Sequence, residues 1–322
     1  MNAADFATYD DDTEALRQRL RDPDAAVRRI AVLDLIDVAG DEHAPLLVAA
    51  LADDSPAVRL EAARALEAFE SPASVAGIVP LLRDEDLEVR EAAAHALSEL
   101  KHPESAQLLL PHARDEHPFV LVSILRGLRE LRVAASFDPA LDALAHSDPL
   151  VRREAVAVLG YLKDNRAIAA LMHLAAKDRE AEVRRAATGA LGFSQGSQAL
   201  PALLAALRDA AWQVREEAAT TLGKLKPASA LEPLIAALDD PYWQVRLRAA
   251  RSLGRLRDRA AVEPLLVTLT HEISNLRKEA ALALGEIGDA AALPALQRAE
   301  QDADPEVRKS VRLALEQIRA AA

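Results

Sequence analysis

Cysteine is absent from the 322 residues, which excludes a disulfide framework, a thiol nucleophile and a thiolate metal site. Aromatic residues are scarce, at 3%, so the place of each one carries information. Positive charge is the minority sign: 39 Lys and Arg stand against 51 Asp and Glu, for a net charge of −12. That field repels nucleic acid and anionic lipid outside a local basic patch. No apolar run reaches the length of a membrane span, and the opening Met1 to Asp12 has neither a basic n-region nor an apolar export core. The expected location is cytoplasmic, with no membrane partner. No Asn-Gly or Asp-Gly turn joins two apolar runs, so hairpins are not signalled. What the chain does have, 51% hydrophobic and 28% charged residues, is the composition of a folded protein.

The hydrophobic residues are ordered by a repeat. Val-Arg recurs at Val27, Val58, Val89, Val151, Val183, Val214, Val245 and Val307, with Val120-Leu121 and Leu276-Arg277 filling the gaps. The spacing is 31 residues, once 32. Ten units therefore occupy residues 20–322, after an acidic tail and a capping helix in 1–19. The fourth residue after the valine is small or β-branched (Ala62, Ala155, Ala249), the eighth is leucine (Leu66, Leu253) and the eleventh is mostly aliphatic or Phe69. These offsets lie within about 80° on a helical wheel, which is one buried stripe. Ser55-Pro56, Asp148-Pro149 and Asp304-Pro305 mark where such helices start. A second apolar helix follows in each unit, as in Pro233 to Leu238 and Pro264 to Leu269. One pair cannot bury its faces alone, so neighbours must stack. The fold expected is an all-α solenoid forming a single domain with a long concave groove.

The pattern D-x-x-x-x-V-R-x-x-A-A-x-x-L-G, written in full at Asp240 to Gly254, resembles the HEAT-like repeats of the phycobilin-lyase type. That resemblance implies that the Val-Arg helices line the concave face. It leaves activity open, because chromophore lyases, a di-iron hydroxylase, redox-protein accessory factors and partner-binding scaffolds share the repeat. The hydroxylase branch carries His-Glu just after the Val-Arg position. No unit has histidine there, and His271-Glu272 precedes its helix, so that activity does not carry over.

Several position classes are architectural. Aspartate stands five residues before the valine in eight units and is replaced by His146 and His271 in the other two. With the recurring arginine it predicts an Asp–Arg ladder between neighbours. Glycine nine residues after the valine, at Gly160, Gly192, Gly223, Gly254 and Gly285, fits either a C-cap or a close helix approach. Unit four, within an irregular stretch at 112–143, has Leu121 for the ladder arginine and extra apolar residues around Val122 and Leu125. It signals either local repacking or a hydrophobic contact with a partner or second copy.

Motifs for catalysis are missing. There is no phosphate loop, nucleophile elbow or catalytic triad, and only His112 and His117 lie close enough in sequence to suggest a metal pair. Metal, cofactor and catalytic residues are therefore expected to be none. The tryptophans instead mark a surface: Trp212-Gln213 and Trp243-Gln244 hold the same position in adjacent units, with Tyr242 beside the second. Glu216, Glu217, Arg248 and Arg251 follow on the same helices, and Arg153, Tyr161 and Arg185 stand in earlier units. Trp, Tyr and Arg dominate interface energetics, so these twelve residues form the candidate partner-binding groove, unless the tryptophans merely pack on their neighbours. The leading function is a non-catalytic protein-binding scaffold or accessory factor. A chromophore or cofactor lyase or chaperone is the alternative, with the aromatics stacking on a planar ligand and Arg248 or Arg251 holding its carboxylates. Third is nucleic-acid binding through the arginines from Arg248 to Arg259, opposed by the net charge.

Overall fold

The computed structural model describes residues 14–38, 43–194 and 197–321; the acidic tail lies outside them. These residues are helical, with no strand among them. They fall into two compact halves, one ending at Leu162 and one beginning at Lys163.

In the first half a short helix α1 over residues 14–19 is followed by α2 (Ala25–Val38), α3 (Ala44–Ala50), α4 (Pro56–Ala65), α5 (Pro72–Leu81) and α6 (Leu87–Ser98). Then come α7 (Ala106–Leu109), α8 (Pro118–Leu131), α9 (Phe137–Ala143) and α10 (Pro149–Leu162). The second half holds α11 (Ile168–Lys177), α12 (Ala181–Ala190), α13 (Leu200–Ala206), α14 (Trp212–Leu225) and α15 (Leu231–Ala236). It closes with α16 (Trp243–Leu256), α17 (Val262–Thr268), α18 (Ser274–Ile287), α19 (Leu293–Ala299) and α20 (Pro305–Ala321). The even-numbered helices carry the ten Val-Arg copies. In each half they pack on one another in sequence and form one layer, backed by a layer of shorter odd-numbered helices. The chain is an α-solenoid.

The stripe read from the sequence is the core. Val58, Ala62 and Leu66, and likewise Val245, Ala249 and Leu253, are buried. Truncating one such leucine to alanine costs about 2–5 kcal/mol in a packed core. Unit four obeys the same rule with more apolar surface: Leu121, Val122, Ile124 and Leu125 are all buried. The extra apolar side chains of unit four therefore pack inward.

The ladder is present and has a direction. Arg59 donates from Nε and Nη2 to the two carboxylate oxygens of Asp84, at 2.7 and 2.8 Å, and from Nη1 to the carbonyls of Asp53 and Asp54 in its own unit. Arg28–Asp53, Arg184–Asp209, Arg215–Asp240 and Arg277–Asp302 repeat this fork. Each arginine therefore ties its own loop to the next one. The aspartate also accepts the amide two residues on, as Asp84 does from Asp86 and Asp240 from Tyr242, which forms the turn into the following helix. Where histidine replaces it, Nδ1 takes over that acceptance: His146 from the Asp148 amide and His271 from the Ile273 amide, both at 3.0 Å. The turn survives, but the fork does not. Unit four needs none, because its arginine is Leu121. Unit eight keeps Arg246, whose Nε is buried and has no hydrogen-bond partner among the described residues.

Of the marked helix starts, Asp148 and Asp304 accept the amides of Leu150 and Glu306, whereas the Ser55 side chain makes no cap bond. The repeated glycines are not caps. For Gly160, Gly223, Gly254 and Gly285 the left-handed C-cap lies three residues later, at Lys163, Lys226, Arg257 and Gly288, and Arg132 takes the equivalent place in unit four, with φ between 52° and 77°. The glycines instead let consecutive Val-Arg helices approach. A Cβ on Gly254 would fall 2.7 Å from Ala283 Cα, and one on Gly285 would fall 2.8 Å from Ala314 Cα.

Candidate partner-binding site

In the second half, Trp212 opens α14, and Tyr242 is the residue before α16. Their rings stack with centroids 5.5 Å apart and planes 16° apart. The Asp240 turn sets the Tyr242 backbone, and the ladder arginine Arg215 lies 5.7 Å from the ring centroid. Trp212 is therefore half-buried against its neighbour, while Tyr242 and Trp243 remain 45% and 38% exposed. The two tryptophans hold the same repeat position but different surroundings, because unit nine offers Ile273 where unit eight offers Tyr242.

The polar candidates of this half are largely engaged. Arg248 reaches back to Glu216 at 3.0 Å. Arg251 forks Glu279 of the next unit at 2.7 and 2.8 Å, and that hydrogen bond raises the arginine's pKa. Arg185 pairs with Glu182 on its own helix at 3.1 Å. Glu217 lies against Thr221 and the backbone notch at Gly189. Gln213 and Gln244 are half-buried, and the Gln244 Oε1 is buried without a hydrogen-bond partner among the described residues. Arg259, at the end of the arginine series, is 3.5 Å from Asp289.

Arg153 and Tyr161 lie in the first half, on α10, and are joined there by residues that sequence reasoning passed over. Glu154 is only 4% exposed and meets three guanidiniums: Arg126 at 3.2 Å, Arg129 at 3.4 Å and Arg153 at 3.0 Å. Arg129 also pairs with Glu130 at 2.8 Å. Arg129 and Arg132 stack over Tyr161, at 5.8 and 5.0 Å from the ring centroid. Glu61 and Glu279 occupy the same repeat position as Glu154 and are buried as well, each answered by an arginine of the preceding unit, Arg29 or Arg251. The sequence carries only a trace of this, glutamate three residues after the valine with arginine about one period earlier, and Glu217 with Arg185 shares that trace without being buried.

Among the described residues no three His, Asp or Glu side chains converge as a metal group would require, and no helix is long and apolar enough to cross a membrane.

Comparison with known proteins agrees with this architecture. Family models described as HEAT repeats match residues 13–78, 44–129, 113–192, 176–242 and 231–316. Among solved structures, an engineered protein is 23% identical at TM-score 0.50, aligned over 96% of this chain and 99% of its own. E. coli YibA is 18% identical at TM-score 0.51, over 93% and 98%. The karyopherin Kap121p, crystallised with the extreme C-terminus of the protein phosphatase Cdc14p, is 15% identical at TM-score 0.67, over 95% of this chain and 41% of its own. At these identities the likeness is one of fold. No curated protein sequence matches the chain.

Proposed function

The chain belongs to the HEAT-repeat family, and on that premise we propose that it is a non-catalytic protein-binding scaffold whose partner docks on the face of the Val-Arg helices. The observation that carries this reading is the exposure of Tyr242 and Trp243 in a chain with almost no aromatic residues. Large amphipathic rings held by a rigid turn give much contact area for little lost conformational freedom, which is why they serve as interface anchors. HEAT-repeat solenoids present extended surfaces of this kind, and Kap121p was crystallised with a protein segment bound to it. The second half contributes Trp212, Gln213, Glu216, Glu217, Tyr242, Trp243, Gln244, Arg248, Arg251 and Arg185. Arg153 and Tyr161 belong to a separate cluster within the first half.

Protein is favoured over a planar carboxylate ligand, and so over the lyase or chaperone reading of the phycobilin-lyase type. Arg248 and Arg251, the side chains that would hold ligand carboxylates, are already neutralised by Glu216 and Glu279. With Arg259 beside Asp289, three of the five arginines from Arg248 to Arg259 are engaged, which removes part of the charge that nucleic acid would need. The test is affinity capture with wild-type chain and Trp243→Ala as baits. A protein held by the first and lost by the second supports the reading. Equal capture moves the site elsewhere, and a coloured ligand co-purifying with the wild type replaces the scaffold by the lyase or chaperone.

A further inference from the structure

The cluster around Tyr161 has more positive charge than its own carboxylates neutralise. Arg126, Arg129, Arg132 and Arg153 supply four guanidiniums, and the carboxylates paired with them are Glu130 and Glu154. This local excess stands in a chain whose net charge is −12. Its geometry is also incomplete in a specific way. Arg132 is exposed with its guanidinium carbon 5.0 Å from the Tyr161 ring centroid, and among the described residues its guanidinium makes no hydrogen bond or ion pair. A guanidinium engaged only by a ring keeps its N–H donors available for a carboxylate or phosphate.

The placement is held from below. The backbone of Arg132 has φ 52° and is fixed by its amide donating to the Leu128 carbonyl at 3.2 Å. Glu154, buried beneath, gathers Arg126, Arg129 and Arg153 at one point and keeps them from spreading into solvent. A carboxylate that is itself buried and shared by three arginines cannot satisfy their fifteen N–H donors, so most of these donors remain for a second anion.

We propose that Arg126, Arg129, Arg132, Arg153 and Tyr161 form an anion receptor for an acidic segment of a protein partner, one rich in Asp or Glu. This deepens the protein-partner reading above and rests on it for the choice of a peptide anion over another. The charge pattern favours the same choice. The excess is confined to a few guanidiniums on two helices, enough for two or three carboxylates, while the acidic remainder of the chain opposes a long polyanion such as nucleic acid.

The probe is a fluorescein-labelled hexaglutamate peptide, followed by anisotropy at low salt beside a hexaglutamine peptide and a six-nucleotide oligo-dT. The variants are Arg132→Gln, which touches only Tyr161, and Arg126→Gln/Arg132→Gln, which leaves Glu154 two of its arginines. Both are checked for unchanged helicity and melting. The hexaglutamate is expected to bind and the hexaglutamine not to. Affinity should fall about ten-fold for each arginine lost, the scale of one charge-assisted hydrogen bond. The proposal is overturned by a wild type that ignores the hexaglutamate, by equal binding in the variants, or by tighter binding of the oligo-dT. The assay needs no natural partner, so its failure leaves the Trp243 capture result standing, and the reverse also holds.

Discussion

Gly254 and Ala283 mark a close approach of α16 and α18, where a β-carbon on the glycine would sit 2.7 Å from the alanine Cα. The obstacle is backbone, which cannot swing aside. Gly254→Ala adds helix propensity of about 1 kcal/mol but forces the helices apart, an overpacking cost of about 1–3 kcal/mol. The variant is expected to melt below the wild type. Gly192→Ala meets only the Thr221 Cγ2 at 3.0 Å, a side-chain atom, and should be nearly neutral. If the two variants melted alike, close approach would not be the reason for the glycine.

The ladder predicts acid sensitivity. Hydrogen bonds from Arg59 hold the Asp84 carboxyl below its ordinary range, and Arg28 and Arg277 do the same for Asp53 and Asp302, in each case against the upward push of burial. These groups titrate lower in the folded chain than in the unfolded one, where the value is about 3.9. Their stabilisation is present above that value and lost as pH falls through the folded one. The urea midpoint should be level from about pH 7 to 5 and drop below about pH 4. Asp84→Asn, which strands a nearly buried Arg59, should lower stability at neutral pH by about 3 kcal/mol and flatten the acid limb. A midpoint that held level to about pH 3 would count against the ladder.

Arg246 invites a repair. His271→Asp would return the carboxylate found twenty-five residues after each forked arginine, while His271→Asn would keep only the acceptor for the Ile273 amide. The aspartate variant is expected to be the more stable of the two by about 1 kcal/mol, measured by denaturant melts at pH 7. Equal stability would mean that Arg246 has found another accommodation.

The two tryptophans should separate in the same way. Trp212→Ala removes the stack on Tyr242, worth about 0.5–1.5 kcal/mol beyond the area buried, and should lower the melting temperature. Trp243→Ala removes a more exposed ring that stacks on no aromatic neighbour among the described residues, and should cost less stability than Trp212→Ala. A reversed order would make Trp243 the packing residue.

Most of the architecture could be read from one-dimensional periodicity, because Val245, Ala249 and Leu253 report burial through spacing alone. What could not be read depended on the neighbouring helix. Glu154 lies off the apolar stripe on a single wheel, yet α8 covers it with arginines. Gly254 looks like a terminator until the backbone of α18 is placed beside it, and Arg132 and Lys226 take the left-handed caps that composition would assign to glycine. At the candidate site, both tryptophans were visible as an anomaly of composition. Their different fates were not, because only Tyr242, one unit on, distinguishes them. The Arg132–Tyr161 stack was hidden for the same reason.

His146 and His271 show that one side chain ahead of each Val-Arg helix has two separable jobs. Shaping the turn needs only a lone pair, whereas fastening the next repeat needs a charge. Any joint of such an array could therefore be loosened by one substitution that keeps the acceptor and discards the charge, creating a hinge without unmaking the bend that leads into it.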